Sequence, residues 1–234
     1  PSDACSVQAA IGAVNAVAFD ISAACAGFIF AMNIVEGFFK AGIYKTALII
    51  GAETLSKVTD WSDRGTCVLF GDGAGAAVLK AEETGIIDMM MGADGTKGDV
   101  LACTSRTVGN FLTGTKPELG FMTMDGQEVF KFAVRKVPES VMELLQRTGT
   151  KKEDIKYYVL HQANERIIEA AARRLKEPME KFPMTISQFG NTSTASIPLL
   201  LDDMIRKDML KKGDKIIMSG FGAGMTWGAV LMEW

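Results

Sequence analysis

Two stretches of this chain repeat one another in kind and in order. Residues 22–35 (SAACAGFIFAMNIV), 46–53 (TALIIGAE) and 70–79 (FGDGAGAAVL) are echoed by residues 191–204 (NTSTASIPLLLDDM), 215–220 (KIIMSG) and 221–231 (FGAGMTWGAVL). Each set reads as a turn of small residues, an apolar helix, a buried strand and a glycine-turned strand. Internal self-similarity of this kind limits the fold more than any single element does. It predicts an α/β chain of duplicated βαβ-type units with right-handed crossovers, whose two mostly parallel sheets stack in layers with helices. The turns at Cys25 and Asn191 are then expected to face each other near a pseudo-twofold axis.

The first of these turns holds the strongest chemical signal. Residues 18–21 read as a short buried strand, and Phe28, Met32 and Val35 recur on one helix face, so Cys25 falls at a helix N-terminus among Ser22, Ala23, Ala24, Ala26 and Gly27. Backbone N–H groups and the helix dipole favour negative charge there, which should ease loss of the thiol proton and make Cys25 a nucleophile. The plain alternative is a small buried hydrophobe. His161 is the chain's one histidine and follows the apolar residues 157–160, at the strand end where open α/β sheets place ligands. A satisfied core histidine is its plain alternative, and an ordinary helix cap is that of Asn191. Each alone is unremarkable in a folded chain; together they set a thiol, an imidazole and an amide on three turns of one α/β scaffold.

Composition removes other classes. The 234 residues are 48% hydrophobic and 23% charged, which suits a globular chain of one large or two small domains. Lysine and arginine number 25 against 28 acidic residues, so there is no nucleic-acid footprint and no general attraction to membranes. Cys5, Cys25, Cys67 and Cys103 lack CxxC spacing, which with a single histidine argues against a metal site and for a reducing compartment. Apolar runs are too short to cross a bilayer. Gly71, Gly73 and Gly75 suggest a phosphate loop, but no Lys-Ser or Lys-Thr ends it and no helix follows. Residues 65–80 instead read as strand, turn, strand. Residues 86–120 read as an irregular excursion. Residues 129–145 have helical spacing, with Pro138 as a kink or break and Gly149 as the end, and residues 165–175 form a second helix.

Five blocks, DISAACAGF, DRGTCVLFGDGAGAAVL, HQANERI, FGNTSTASIP and FGAGMTWG, resemble in this order the signature blocks of β-ketoacyl-acyl carrier protein synthase III, a family of thiolase-fold condensing enzymes. The resemblance runs from Pro1 to Trp234. It implies a thiolase-like α-β-α-β-α layering, divided into residues 1–85, which carry the nucleophile, and residues 86–234, the excursion plus the C-terminal half. The implied reaction is decarboxylative Claisen condensation of an acyl-CoA primer, acetyl-CoA or a short or branched acyl-CoA, with malonyl-acyl carrier protein. Its product is a β-ketoacyl-acyl carrier protein that initiates fatty acid synthesis.

Carried over by position, the resemblance makes Cys25 the nucleophile and His161 and Asn191 its partners. The backbone N–H groups of Cys25 and Ala223 form the oxyanion hole, with alanine where many relatives have glycine. Arg64 and Asn164 contact coenzyme A. Lys131, Arg166 and Arg173 dock the acidic carrier protein, and Arg174 is a further basic candidate. No cofactor or metal is implied, and a cytoplasmic homodimer is expected. The family has a further βαβ portion ahead of the position matched by Pro1, so the first half is expected to be incomplete and these residues alone insoluble or inactive. The alternatives are a condensing enzyme or acyltransferase of secondary metabolism, and a non-catalytic carrier-protein-binding subunit. Retention of Cys25, His161 and Asn191 speaks against the last.

Overall fold

The computed structural model describes residues 2–103, 108–118 and 120–234. In chain order they form α1 (Asp3–Ala10), α2 (Gly27–Lys40), β1 (Thr46–Glu53), β2 (Gly73–Lys80), β3 (Ile86–Ala93), β4 (Leu101–Cys103) and β5 (Met122–Met124). Next come α3 (Gly126–Thr148), β6 (Ile155–Leu160), α4 (Glu165–Leu175), α5 (Ile186–Phe189), α6 (Ser196–Arg206), β7 (Lys215–Gly222) and β8 (Thr226–Glu233).

β6 and β7 are apolar over most of their length, and helices cover both of their faces. Side chains alternate across a strand. Tyr158, Leu160 and Ile217 therefore enter one core with Phe132, Val141 and Leu144 of α3 and Ile168 and Leu175 of α4. Val159, Ile216 and Met218 enter a second core with Phe28, Ile29 and Met32 of α2 and Ile197, Leu200 and Met204 of α6. β1 and β2 close that second core from its far side through Ile49, Ala77 and Leu79. The layers thus run α3/α4, the sheet β3-β8-β7-β6, α2/α6, then β1-β2.

The layered α/β class is as expected, but the strand pairing is not. Among the described strands only β6 and β7 pair in parallel; β7-β8, β3-β8, β1-β2 and β4-β5 are antiparallel. A strand that returns through a short turn, as β8 does after residues 223–225, can only pair antiparallel. Residues 86–93 are likewise not irregular. Their methionine-rich run hides the strand period, and β3 is fixed by its ladder with β8, where Gly92 admits the Trp227 ring.

Two further expectations are corrected and a third is narrowed, Pro138 making no break in its helix. Residues 18–21 form no strand, and Val17, Phe19 and Ile21 are exposed. No strand lies beside them among the described residues, and the Asp20 carboxylate instead accepts the N–H groups of Asp3 and Ala4 at the start of α1. The first run of residues 65–80 is a set of turns rather than a strand. Asp63 accepts from Gly65 N–H and the Thr66 hydroxyl, and these local bonds compete with a ladder. Finally, α3 continues through Pro138. Proline has no N–H for the Val134 carbonyl one turn back, and Arg174 Nη1 donates to that carbonyl at 2.6 Å.

Candidate active site

α2 and α6 each start from a short 3₁₀ turn, at Ala24–Ala26 and Ser193–Ala195. The two turns share a backbone peculiarity: Ala24 lies at φ +45° and Ser193 at +50°, a left-handed conformation that disfavours side chains. Cross-links hold them there. The Thr194 hydroxyl donates to the Ala24 carbonyl at 2.7 Å, and the Thr226 hydroxyl reaches the carbonyls of Ala23 at 3.0 Å and Ala223 at 3.1 Å. The repeated turns therefore do face each other.

Glycines let this happen. A Cβ on Gly222 would lie 2.5 Å from the Cys25 nitrogen, and one on Gly51 would lie 2.7 Å from the Thr194 carbonyl oxygen. Gly51 of β1 and Gly220 of β7 occupy matching places in the repeat, each beneath the opposite half's turn. Gly71, Gly73 and Gly75 seat residues of α5, the Asn191 turn and α6. Packing accounts for this glycine run without a phosphate.

The stretch of residues 191–196 touches every member of the candidate constellation. The Ser193 side chain lies close enough to the Cys25 thiol to act on its proton affinity. The Asn191 side-chain oxygen accepts from Ser193 N–H at 2.9 Å, which turns its NH2 group the other way. Ser196 Oγ lies 2.6 Å from Nδ1 of His161 and accepts the Gln162 N–H at 3.3 Å. Backbone bonds fix the frame: His161 N–H donates to Ser219, Asn191 N–H to Leu69, and Gly71 N–H to Asn191. Cys25, His161 and Asn191 are all buried, and the His161 ring packs edge-on against Phe221 at 5.4 Å between centroids.

Burial sets the protonation of both titratable groups. It pushes the Cys25 thiol up to about 11, outweighing the hydrogen bond from Ser193, and the Glu53 carboxylate pushes the same way. It holds the His161 imidazole down to about 3. The expectation of an easily ionised thiol is therefore corrected: burial favours the neutral form of both the thiol and the imidazole.

A family model described as 3-oxoacyl-[acyl-carrier-protein (ACP)] synthase III matches residues 19–95, and its C-terminal counterpart matches residues 145–234. A β-ketoacyl-[acyl-carrier-protein] synthase III of Clostridium novyi is 53% identical over all of this chain and 73% of its own length. The solved 3-oxoacyl-[acyl-carrier-protein] synthase III of Aquifex aeolicus superposes with a TM-score of 0.91 at 45% identity, over the whole chain and 72% of that protein. That of Pseudomonas aeruginosa gives 0.93 at 38% identity, over the whole chain and 73% of that protein. This chain belongs to the 3-oxoacyl-[acyl-carrier-protein] synthase III family.

The other residues expected in this synthase III chain lie on its turns and helix surfaces. Ala223 sits in the β7-β8 turn and is not among the residues with positive φ, so its side chain brings no backbone strain. Arg64 is exposed in the turns before β2, and Asn164 caps α4, its side-chain oxygen accepting from Arg166 N–H. Lys131 pairs with Glu128 at 2.8 Å and Arg173 with Glu169 at 3.5 Å, whereas Arg166 has no ion pair among the described residues. Arg174 is exposed and donates to the Val134 carbonyl. Ser193, Thr194, Ser196 and Thr226 are the residues of the site that were not expected from the sequence. The signal was the run of hydroxyls in NTSTAS, which in a buried turn must find partners.

Proposed function

We propose that this chain joins an acyl-CoA primer to malonyl-acyl carrier protein by decarboxylative Claisen condensation, the initiating step of fatty acid synthesis, with Cys25, His161 and Asn191 as its catalytic residues. The observation that carries the residue assignment is the stretch 191–196, which touches the thiol and the imidazole and orients the amide. The alternatives in secondary metabolism or as a non-catalytic subunit are not favoured.

The Cys25 sulfur attacks the primer thioester carbon, and the developing oxyanion is held by the backbone N–H groups of Cys25 and Ala223. Collapse expels coenzyme A, which leaves with the thiol proton. Malonyl-acyl carrier protein then loses carbon dioxide, and the electron pair forms an enolate. A neutral His161 and the outward NH2 of Asn191 are suited to donate to that enolate oxygen, whose charge is greatest as the transition state is passed. The enolate carbon attacks the acyl-Cys25 carbonyl, the β-ketoacyl product forms, and the expelled Cys25 thiolate takes a proton from solvent. No step draws on a cofactor.

Arg64 and Asn164 are proposed for coenzyme A, and Lys131, Arg166 and Arg173 for the acidic carrier protein. Arg166 lies in the first turn of α4, where the helix dipole disfavours a cation, so its placement calls for an anionic partner. We also propose division at residues 85 and 86, supported by the entry of β3 into the sheet of the second half. A cytosolic homodimer is the proposed working form; among the described residues no helix is long and apolar enough to cross a membrane. Intact-mass measurement after incubation with a panel of acyl-CoA primers tests the reading. A single acyl group on Cys25, followed by carbon dioxide release with malonyl-acyl carrier protein, is expected. Acylation that persists in Cys25→Ala overturns it.

A further inference from the structure

We propose that Ser196 is a positioning residue that decides which ring nitrogen of His161 carries the proton, so that Nε2–H is the group presented to the enolate. This deepens the condensation reading and rests on it for its catalytic meaning.

Ser196 opens α6 and is 2% exposed, so its hydroxyl must be satisfied inside the protein. Among the described residues Oγ has two partners, the Gln162 N–H at 3.3 Å and His161 Nδ1 at 2.6 Å. An amide N–H only donates, so Oγ accepts there. The hydroxyl proton then has one acceptor in reach, and that is Nδ1. The reverse arrangement, with Nδ1–H donating to Oγ, would strand the serine proton in a buried site.

Other groups that could choose the tautomer are engaged elsewhere. Ala163 N–H donates to the His161 carbonyl at 3.1 Å, and the Gln162 side-chain amide donates to the Leu160 carbonyl at 2.7 Å while its oxygen accepts from Thr185 N–H. A neutral imidazole carries one N–H, so a Nδ1 that accepts leaves the proton on Nε2. Asn191 is set by the same logic, since its oxygen accepts from Ser193 and its NH2 is left to donate. One segment thus aims two donors, by a backbone N–H at residue 193 and a hydroxyl at residue 196.

The test reads the tautomer directly. His161 is the one histidine of these 234 residues. In protein labelled with 15N-histidine, signals lost in His161→Gln identify the ring, and one-bond N–H coupling reports which nitrogen is protonated. Wild type should show a protonated Nε2 and a bare Nδ1; a protonated Nδ1 overturns the proposal before any Ser196 variant is made. Ser196→Ala should populate both tautomers and slow malonyl decarboxylation by about 10- to 100-fold, the range found when the orienting partner of a metal-bound histidine is removed. Acylation of Cys25 should change far less. Ser196→Thr, which keeps the hydroxyl, should restore Nε2–H and most of the rate. An alanine variant that keeps Nε2–H alone overturns the proposal, whatever its activity. Mixed tautomers with undiminished decarboxylation would support the role of Ser196 and instead sink the role of His161 in the condensation reading.

Discussion

In the proposed mechanism the Asn191 side chain divides between structure and chemistry. Its oxygen anchors the 3₁₀ turn through Ser193 N–H, while its NH2 is available to a developing negative charge. Asn191→Ala should therefore lower decarboxylation of malonyl-acyl carrier protein by about 100- to 1,000-fold, the usual effect of removing one oxyanion donor. Formation of acyl-Cys25 should be much less affected, and equal loss of both half-reactions in stopped assays would contradict this division of labour. Asn191→Asp is a sharper probe. It keeps the anchoring oxygen and replaces the donor by a negative charge, so the turn should survive while decarboxylation falls below that of the alanine variant.

At the scale of elements, α3 and α4 are joined by a bond that a proline makes necessary. Pro138 frees the Val134 carbonyl, and Arg174 of the neighbouring helix reaches it. Arg174→Ala should lower unfolding free energy by about 1 kcal/mol, the typical net value of one such hydrogen bond. In a Pro138→Ala background the helix supplies its own N–H, and the same arginine substitution should have little effect. Urea unfolding of the four proteins closes this cycle, and additive effects would show that the two sites are independent. The exposed ion pairs of Lys131 and Arg173 are different, since such pairs contribute little and open at small cost. Lys131→Glu and Arg166→Glu should raise the apparent KM for malonyl-acyl carrier protein in a salt-dependent way and leave a malonyl-CoA surrogate largely unaffected. Equal effects on both donors would remove the docking role.

For the whole molecule, two buried neutral groups bound the pH range of stability. The unfolded chain protonates His161 below its ordinary 6.5, whereas the native form resists until about 3, so stability falls as pH is lowered through that window. Cys25 acts at the other end. Between 9.0 and about 11 the native thiol keeps a proton that the unfolded chain has lost, and stability falls as pH rises. Each group contributes a slope of about 1.4 kcal/mol per pH unit inside its window. Carboxylates such as Asp60, Asp72 and Asp94 are held below 3.8 by their hydrogen bonds and add to the acid limb only at lower pH. Urea midpoints across pH should therefore form a plateau between about 6.5 and 9. His161→Gln should flatten the limb between pH 6.5 and 5, and Cys25→Ala the alkaline limb. Limbs that persist in both variants would assign them to other groups.

The sequence by itself determined the layered α/β class, the repeat and the helix at 165–175, and it singled out the three residues proposed for catalysis, because periodicity and block order are local properties. Pairing direction, the strand at 86–93 and the exposure of residues 18–21 were decided by tertiary neighbours, since a strand has no partner until the chain has folded. The same division runs through the site. That Cys25 starts a helix is written in its small neighbours, and dipole reasoning from that fact favours a thiolate. That the thiol stays protonated follows from burial, and burial depends on β7, β8 and the Asn191 turn closing over it. Ser193, Thr194, Ser196 and Thr226 were legible only as polar residues. Their partners, at Cys25, Ala24, His161 and Ala23, lie in other segments of the chain, and only the packing of one half against the other brings each hydroxyl to the atom it serves.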